Sequence, residues 1–380
     1  MQSQLFFKNH KFRIMVVGDP HEKPSYDSAE DRSKYEDYLR LQYAAVRELR
    51  PDLVVLMGDN AGGSSPEALR EVLLRMTEPY RLHDVPFAFI LGNHDLEWDP
   101  EFTDLQEHYA VYRSIPGCLL PENEQVNQYG DYNLTVKYTD GDADALNLWF
   151  IYSGNRATPE YNSTYDFVKT EQIEWYKNRE RSLRQENGAQ VPAILFQHIP
   201  VPEEFRLLKK RSLLSMLADG VEGQDLRKGA YYSANRAAGT EGYVGEAPCA
   251  PDYNNGQFAA WKETGDVFAA FFGHDHMNDF VGMTDGIILG QCKTASFRVY
   301  GDGLMQGVRV LDLDDRSPRC LDTKMVRYRE LVGRECGSIT GRNRDIPDRW
   351  NVKIDFALKA LPYAGVAALP LVLKLLRKII

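Results

Sequence analysis

Phe12-Arg13-Ile14-Met15-Val16-Val17-Gly18-Asp19-Pro20-His21 decides the fold class. A short, β-branched apolar run is stopped by Gly-Asp-Pro, so it reads as a buried strand that delivers Asp19 and His21 at its C-terminal end. The arrangement recurs twice downstream. A polar stretch from Glu30 to Arg50 carries Tyr35, Leu39, Tyr43 and Val46 at helical spacing and is closed by Pro51, and the apolar run Leu53 to Met57 then ends in Gly58-Asp59-Asn60. A helical pattern from Pro66 to Arg75 precedes Phe87 to Leu91, which ends in Gly92-Asn93-His94-Asp95. The order β-α-β-α-β implies parallel strands, and in open α/β sheets functional groups gather at strand C-terminal ends.

Further on, the pattern from Tyr109 to Asp144 loosens into turns and short strands, and reads as an insertion. Leu148 to Tyr152 resumes as a strand, Thr170 to Leu183 as a helix, and the strand Ala193 to Phe196 delivers Gln197-His198. After a polar excursion from Arg206 to Ala250 and a helical Gly256 to Thr264, the strand Val267 to Phe272 delivers Gly273-His274-Asp275-His276. Ile287 to Leu289 and Gly307 to Leu313 look like closing strands. They suggest a second, more antiparallel sheet packed on the first, hence a layered α/β sandwich.

The bulk composition sets limits. At 380 residues, with 43% apolar and 26% charged side chains, the chain reads as one large soluble domain plus an appendage. Its 45 basic and 55 acidic residues give a net charge of -10, which disfavours nucleic acid as a generic partner. Cys118, Cys249, Cys292, Cys320 and Cys336 are scattered and odd in number, against a disulfide framework and for buried free thiols. The N-terminus shows no secretory pattern, so a cytoplasmic location is the expectation.

Five of the eight histidines, His21, His94, His198, His274 and His276, fall inside the five motifs, leaving His10, His83 and His108 without a matching context. The donors Asp19, His21, Asp59, Asn93, His198, His274 and His276 mix carboxylate oxygen with imidazole nitrogen. That set suits Mn, Fe, Co, Ni or Zn better than Ca or Mg. Seven donors suit two ions, and a pair about 3.5 to 4 Å apart needs a bridging ligand, for which Asp59 is the natural candidate. Arg156 and Arg298 are candidates for gripping a phosphate, with salt bridging as the competing role. Tyr132 and Asn133 either line the site or belong to a β-turn.

The five blocks in this order resemble the calcineurin-like metallophosphoesterase superfamily, whose pattern is D-x-H, G-D, G-N-H-D/E, H and G-H-x-H. The stretches Phe196 to Pro202 and Gly273 to Phe280 are similar to its purple-acid-phosphatase-like branch. The resemblance implies a four-layer α/β/β/α sandwich. It places Asp19, His21, Asp59 and His276 on one metal and Asp59, Asn93, His198 and His274 on the other. It also implies that His94 contacts phosphate and protonates the leaving group, supported by Asp95. The implied function is a phosphoester hydrolase using hydroxide at a dinuclear centre of divalent transition ions, Mn or Fe foremost, most simply a phosphomonoesterase. A phosphodiesterase or a nucleotide or lipid pyrophosphatase is the alternative, and a non-catalytic metal-bound module the outlier. Gly62 stands where purple acid phosphatases carry a tyrosine ligand, so a coloured ferric tyrosinate is not expected.

Residues 346–380 form a separate tail after a catalytic domain of residues 1–345. Ala360 to Leu373 is uncharged, and residues 351–380 hold five basic side chains to one acidic. The stretch is too short for a spanning helix of about 20 residues. An apolar helical tail that lies in a membrane interface, or docks on the domain or on a second copy, is the expectation.

Overall fold

The computed structural model describes residues 4–122, 125–212 and 220–342. The expected tail, 346–380, and the domain boundary at 345 lie outside them. The strands are β1 (Leu5–Phe6), β2 (Lys11–Val17), β3 (Leu53–Met57), β4 (Phe87–Ile90), β5 (Tyr132–Lys137), β6 (Asp144–Ile151), β7 (Ala193–Gln197), β8 (Leu208–Arg211), β9 (Val221–Glu222), β10 (Tyr231–Ala234), β11 (Val267–Phe272), β12 (Val281–Thr284), β13 (Ile287–Gln291), β14 (Gly307–Asp314) and β15 (Leu321–Arg327). The helices are α1 (Ala29–Leu49), α2 (Pro66–Met76), α3 (Glu78–Leu82), α4 (Leu105–Arg113), α5 (Thr170–Asn187), α6 (Gln257–Thr264), α7 (Tyr328–Leu331) and α8 (Ile339–Arg342).

One sheet runs β15-β14-β2-β3-β4 and a second runs β1-β5-β6-β7-β11-β13-β12. In the first, β2, β3 and β4 are parallel, because the connections through α1 and through α2 and α3 are long enough to cross over. Helices α1 and α2 start where side chains can satisfy the exposed amides: Ser28 accepts from the Asp31 amide, and Ser65 from that of Ala68 with Pro66 just inside the helix.

Three sequence expectations change. The second sheet is not the more antiparallel one. Its centre, β6-β7-β11-β13, is all parallel, since helix-bearing crossovers join β6 to β7 and β7 to β11. Strand β14 belongs to the first sheet, antiparallel to β2. The segment that looked like loose turns after Tyr109 holds most of α4, whose N-terminus is capped by Asp104. Within the polar excursion, β8, β10 and β9 form a small separate sheet.

Alternation along β6 shows how the layers stack. Leu146, Leu148 and Phe150 join a core shared with β2, β3, β4, α1 and α2, whereas Trp149 and Ile151 join a core shared with α5 and α6. The order is helices, sheet, sheet, helices. Tyr132 is neither a site residue nor a turn residue. It is fully buried in β5, its hydroxyl donates to the Phe89 carbonyl at 2.5 Å, and it accepts from the Phe89 amide at 3.0 Å. It thereby links the second sheet to β4, the edge strand of the first.

Candidate metal centre

Five strand ends converge on one spot: β2 brings Asp19 and His21, β3 Asp59, β4 Asn93, β7 His198, and β11 His274 and His276. The turns that aim them are tight. Asp19, His21, Asp59 and His274 have φ of 46°, 49°, 49° and 73°, left-handed backbone that costs a non-glycine residue on the order of 1–3 kcal/mol each. Such strain persists only where the surroundings enforce it. The glycines before the ligands allow close approach: a Cβ on Gly58 would lie 2.5 Å from His198 Nδ1, and one on Gly92 2.3 Å from Asp59 Oδ1.

Two groups of donors result, with ligand atoms within 4.8 Å of one another. Asp19, His21, Asp59 and His276 form one; Asp59, His198 and His274 form the other, so Asp59 is common to both. Asn93 Oδ1 lies 3.1 Å from His198 Nε2, which places it in the second group. Asp59 Oδ2 is 3.4 Å from His21 Nε2 and 3.3 Å from His198 Nε2, while Asp19 Oδ1 is 3.7 Å from His276 Nε2.

The donor chemistry fits cations. His198 Nδ1 lies 2.8 Å from the Met57 carbonyl, which can only accept, so Nδ1 carries the hydrogen. In the neutral ring, Nε2 then presents a lone pair to the oxygens of Asn93 and Asp59. Lone pairs facing one another require a positive charge between them. His21 Nε2 and His274 Nε2 are buried without hydrogen-bond partners. Orphaned nitrogens of this kind are rare in protein interiors and are what a metal would satisfy.

Electrostatics agree. Burial, with neighbouring imidazoles behind it, pushes His21 down to about 4 and His274 to about 3, and holds His276 well below its usual value, so all three are neutral and ready to ligate. For His198, burial works against the cation, but Asp59 and then Asp19 outweigh it and raise the group to about 10. Burial raises Asp19 well above the carboxylate range, whereas in Asp59 it is overcome by His198 and His21 and the carboxyl is held low.

The surrounding residues take roles that motif position does not reveal. Asp95 does not support His94: Oδ1 accepts from the amides of Asn60 and Ala61, and Oδ2 from that of Gly92. The partner of His94 is Glu97, whose Oε2 is 2.8 Å from Nδ1. The His94 amide donates to Asp59 Oδ1 at 2.7 Å, which roots that residue beside the centre. Asp275, between two ligands, turns inward to accept from Cys249 N, Asn278 and Gln291. Thr294 donates its hydroxyl to the Asp19 carbonyl.

Arg298 is engaged by carboxylates through two of its three nitrogens, while its Nη2 is buried without a hydrogen-bond partner. Its Nε donates to Glu22 at 3.0 Å and its Nη1 pairs with Asp31, a buried arrangement that steadies the residue next to His21. Arg156 is exposed, and its backbone bridges to Tyr165, whose ring meets His274 edge-on at 4.4 Å. It stands at the rim. Tyr300, whose ring lies 4.3 Å from that of His276, flanks the other side and donates to Glu246. Neither tyrosine sits in a motif, so only the fold reveals them. Gly62 is covered by Trp98: a Cβ there would fall 1.7 Å from the indole, so a tyrosine ligand has no room while that ring stays in place.

His10 pairs with Asp315, His83 approaches the Pro79 carbonyl, and His108 stacks on Phe102, all local contacts. Of the thiols, Cys249 and Cys292 are buried, Cys118 and Cys336 half-buried and Cys320 exposed, so the expectation of burial holds for two; none of the five forms a disulfide. Among the described residues no helix is long and apolar enough to cross a membrane.

Several known proteins are similar to this chain. "Probable inactive purple acid phosphatase 29" of Arabidopsis thaliana is 28% identical over 342 residues, covering 81% of this chain and 78% of its own length. "Phosphatase DCR2" of Saccharomyces cerevisiae is 24% identical over 293 residues, covering 71% of this chain and 45% of its own length. The crystal structure of a dimetal phosphatase from Danio rerio aligns with a TM-score of 0.47 at 11% identity, over 83% of this chain and 99% of that one. The model of the calcineurin-like phosphoesterase family matches residues 12–278, and the chain belongs to that family.

Proposed function

We propose that this chain is a metal-dependent phosphoesterase whose first substrates are phosphomonoesters, acting through two divalent transition ions with Mn or Fe foremost. The observation that carries the reading is the pair of ligand groups sharing Asp59, with imidazole nitrogens aimed inward and left without hydrogen-bond partners. Asp19, His21, Asp59 and His276 would hold one ion and Asp59, Asn93, His198 and His274 the other. Bound there, the ions supply Lewis acidity toward a phosphoryl oxygen and lower the pKa of water.

The remaining chemistry belongs to the chain. His94 is half-exposed, with its amide on Asp59 and its ring 5.7 Å from that of His21, beside the point where a phosphoryl group would sit. It suits a hydrogen-bond or proton donor toward the departing ester oxygen. Arg156 at the rim offers a positive charge for the substrate. The Arabidopsis relative carries "inactive" in its name, but here all seven donors and His94 are in place, which supports turnover.

The test is hydrolysis by metal-stripped protein reloaded separately with Mn, Fe, Co, Ni or Zn, on an aryl phosphate monoester and on a bis-aryl diester. Metal-dependent turnover favouring the monoester, lowered at least about a hundredfold in Asp59→Asn, is expected from the scale of metal catalysis. Preference for the diester would move the reading to a phosphodiesterase. Failure on both esters with every ion would overturn it in favour of a non-catalytic module.

A further inference from the structure

The loop after β4 holds a second acid besides Asp95. Glu97 follows His94 by three residues in a turn closed by the Glu97 amide on the His94 carbonyl at 3.3 Å. Its Oε2 lies 2.8 Å from His94 Nδ1, and its Oε1 accepts from Asn155 Nδ2 at 2.7 Å. A carboxylate only accepts, so the hydrogen of the contact sits on His94 Nδ1 and Nε2 is the nitrogen left free. Asn155 follows β6, so a residue from the second sheet steadies a side chain carried by the first. Next to Glu97, Trp98 lies against Gly62 and limits where the turn can go. Asp95, the acid beside His94 in the chain, is occupied on both oxygens by backbone amides.

Resting on the phosphoesterase reading, we propose that Glu97, held by Asn155, is a positioning residue that fixes the His94 ring so that Nε2 faces the departing ester oxygen. In the step it serves, the oxygen of water bonds to phosphorus and a water proton goes to solvent. The bond from phosphorus to the ester oxygen breaks, and the proton on His94 Nε2 passes to that oxygen. The ring is left neutral with its hydrogen on Nδ1, directed at Glu97, and solvent returns a proton to Nε2. An ordinary exposed ion pair of this spacing would contribute little to stability and nothing to rate. The two roles predict different kinetics.

The test compares wild type, Glu97→Ala, Glu97→Gln and Asn155→Ala on phenyl phosphate and on its dinitrophenyl counterpart, whose leaving group departs without a proton. Glu97→Ala should lower kcat on phenyl phosphate by roughly tenfold to a hundredfold, part of what a general acid contributes, at unchanged KM and metal content. On the dinitrophenyl ester the loss should shrink to about threefold or less, since proton donation matters little there. Glu97→Gln, which keeps an oxygen to accept from Nδ1, should recover part of the rate, and Asn155→Ala should show the same pattern more weakly. Equal losses on both esters, or none on either, would overturn the proposal. Independently of turnover, NMR of the histidine rings in Zn-loaded protein, at a pH where His94 is neutral, should show its hydrogen on Nδ1 in wild type and a shift toward Nε2 in Glu97→Ala. A wild-type ring protonated on Nε2 would sink the proposal. An Nδ1-protonated ring in a protein that hydrolyses no ester would instead support the orienting contact and overturn the phosphoesterase reading.

Discussion

Asp95 commits its carboxylate to three amides, those of Asn60, Ala61 and Gly92, and so ties the loop carrying Asn93 and His94 to the loop carrying Asp59. A buried amide left without an acceptor costs about 1–3 kcal/mol, so Asp95→Ala should destabilise the protein by at least about 2 kcal/mol, less whatever water recovers. Chemical denaturation of the metal-free variant reads this directly; a loss well under 1 kcal/mol would mean that the amides find other partners. The candidate donors were legible as a group because metal chemistry demands particular residue types at particular strand ends, and Asp19, His21, Asp59, Asn93, His198, His274 and His276 all meet at one point. The aim of a neighbouring side chain was not. Asp95 and Glu97 are both acids near His94 in the chain, and only the turn decides which one reaches the ring. Arg298 was illegible for the same reason: a cation near the site is a substrate group or a structural one according to whether a carboxylate such as Glu22 stands beside it.

At the scale of elements, α1 does more than connect β2 to β3. Its buried Asp37 accepts from the Gly337 and Ser338 amides and from the Cys336 thiol, and so fastens the segment leading into α8. Burial would raise this carboxyl, but the Cys336 thiol and the two amides outweigh it and hold it below the usual value. A depressed folded-state pKa contributes stability that is present above the unfolded value near 3.8 and lost as pH falls through the folded one. Burial and Asp37 also push the Cys336 thiol up to about 11, which keeps it unreactive near neutrality. Thiol labelling at neutral pH should therefore modify the exposed Cys320 fast and Cys336 slowly, with Cys336 gaining at least about tenfold in rate in Asp37→Ala. Equal rates in wild type and variant would show that Asp37 does not anchor the segment. None of this was readable beforehand, because a contact between residues 37 and 336–338 leaves no periodic trace in the chain.

For the whole molecule, the β-α-β-α-β opening was readable because strand and helix periods differ and Gly-Asp or Gly-Asn ends each strand. The partition of later strands was not. Sequence order favours placing β14 with its recent neighbours, yet it pairs with β2 across almost the whole chain. The parallel centre of the second sheet depends on crossovers through α5 and α6 whose direction local pattern does not specify. Both sheets direct their strand ends to one edge of the sandwich, and Tyr132 links them at β4, so the donors of both groups meet at one place. That arrangement is the central claim, and the most direct test is a count of Mn bound per chain at saturation, by elemental analysis of metal-stripped and reloaded protein, in wild type and in Asp59→Asn. Two ions per chain in wild type, falling to one or none when the shared carboxylate is neutralised, is the predicted result. One ion or none in wild type, or two retained in Asp59→Asn, would contradict a dinuclear centre bridged by Asp59.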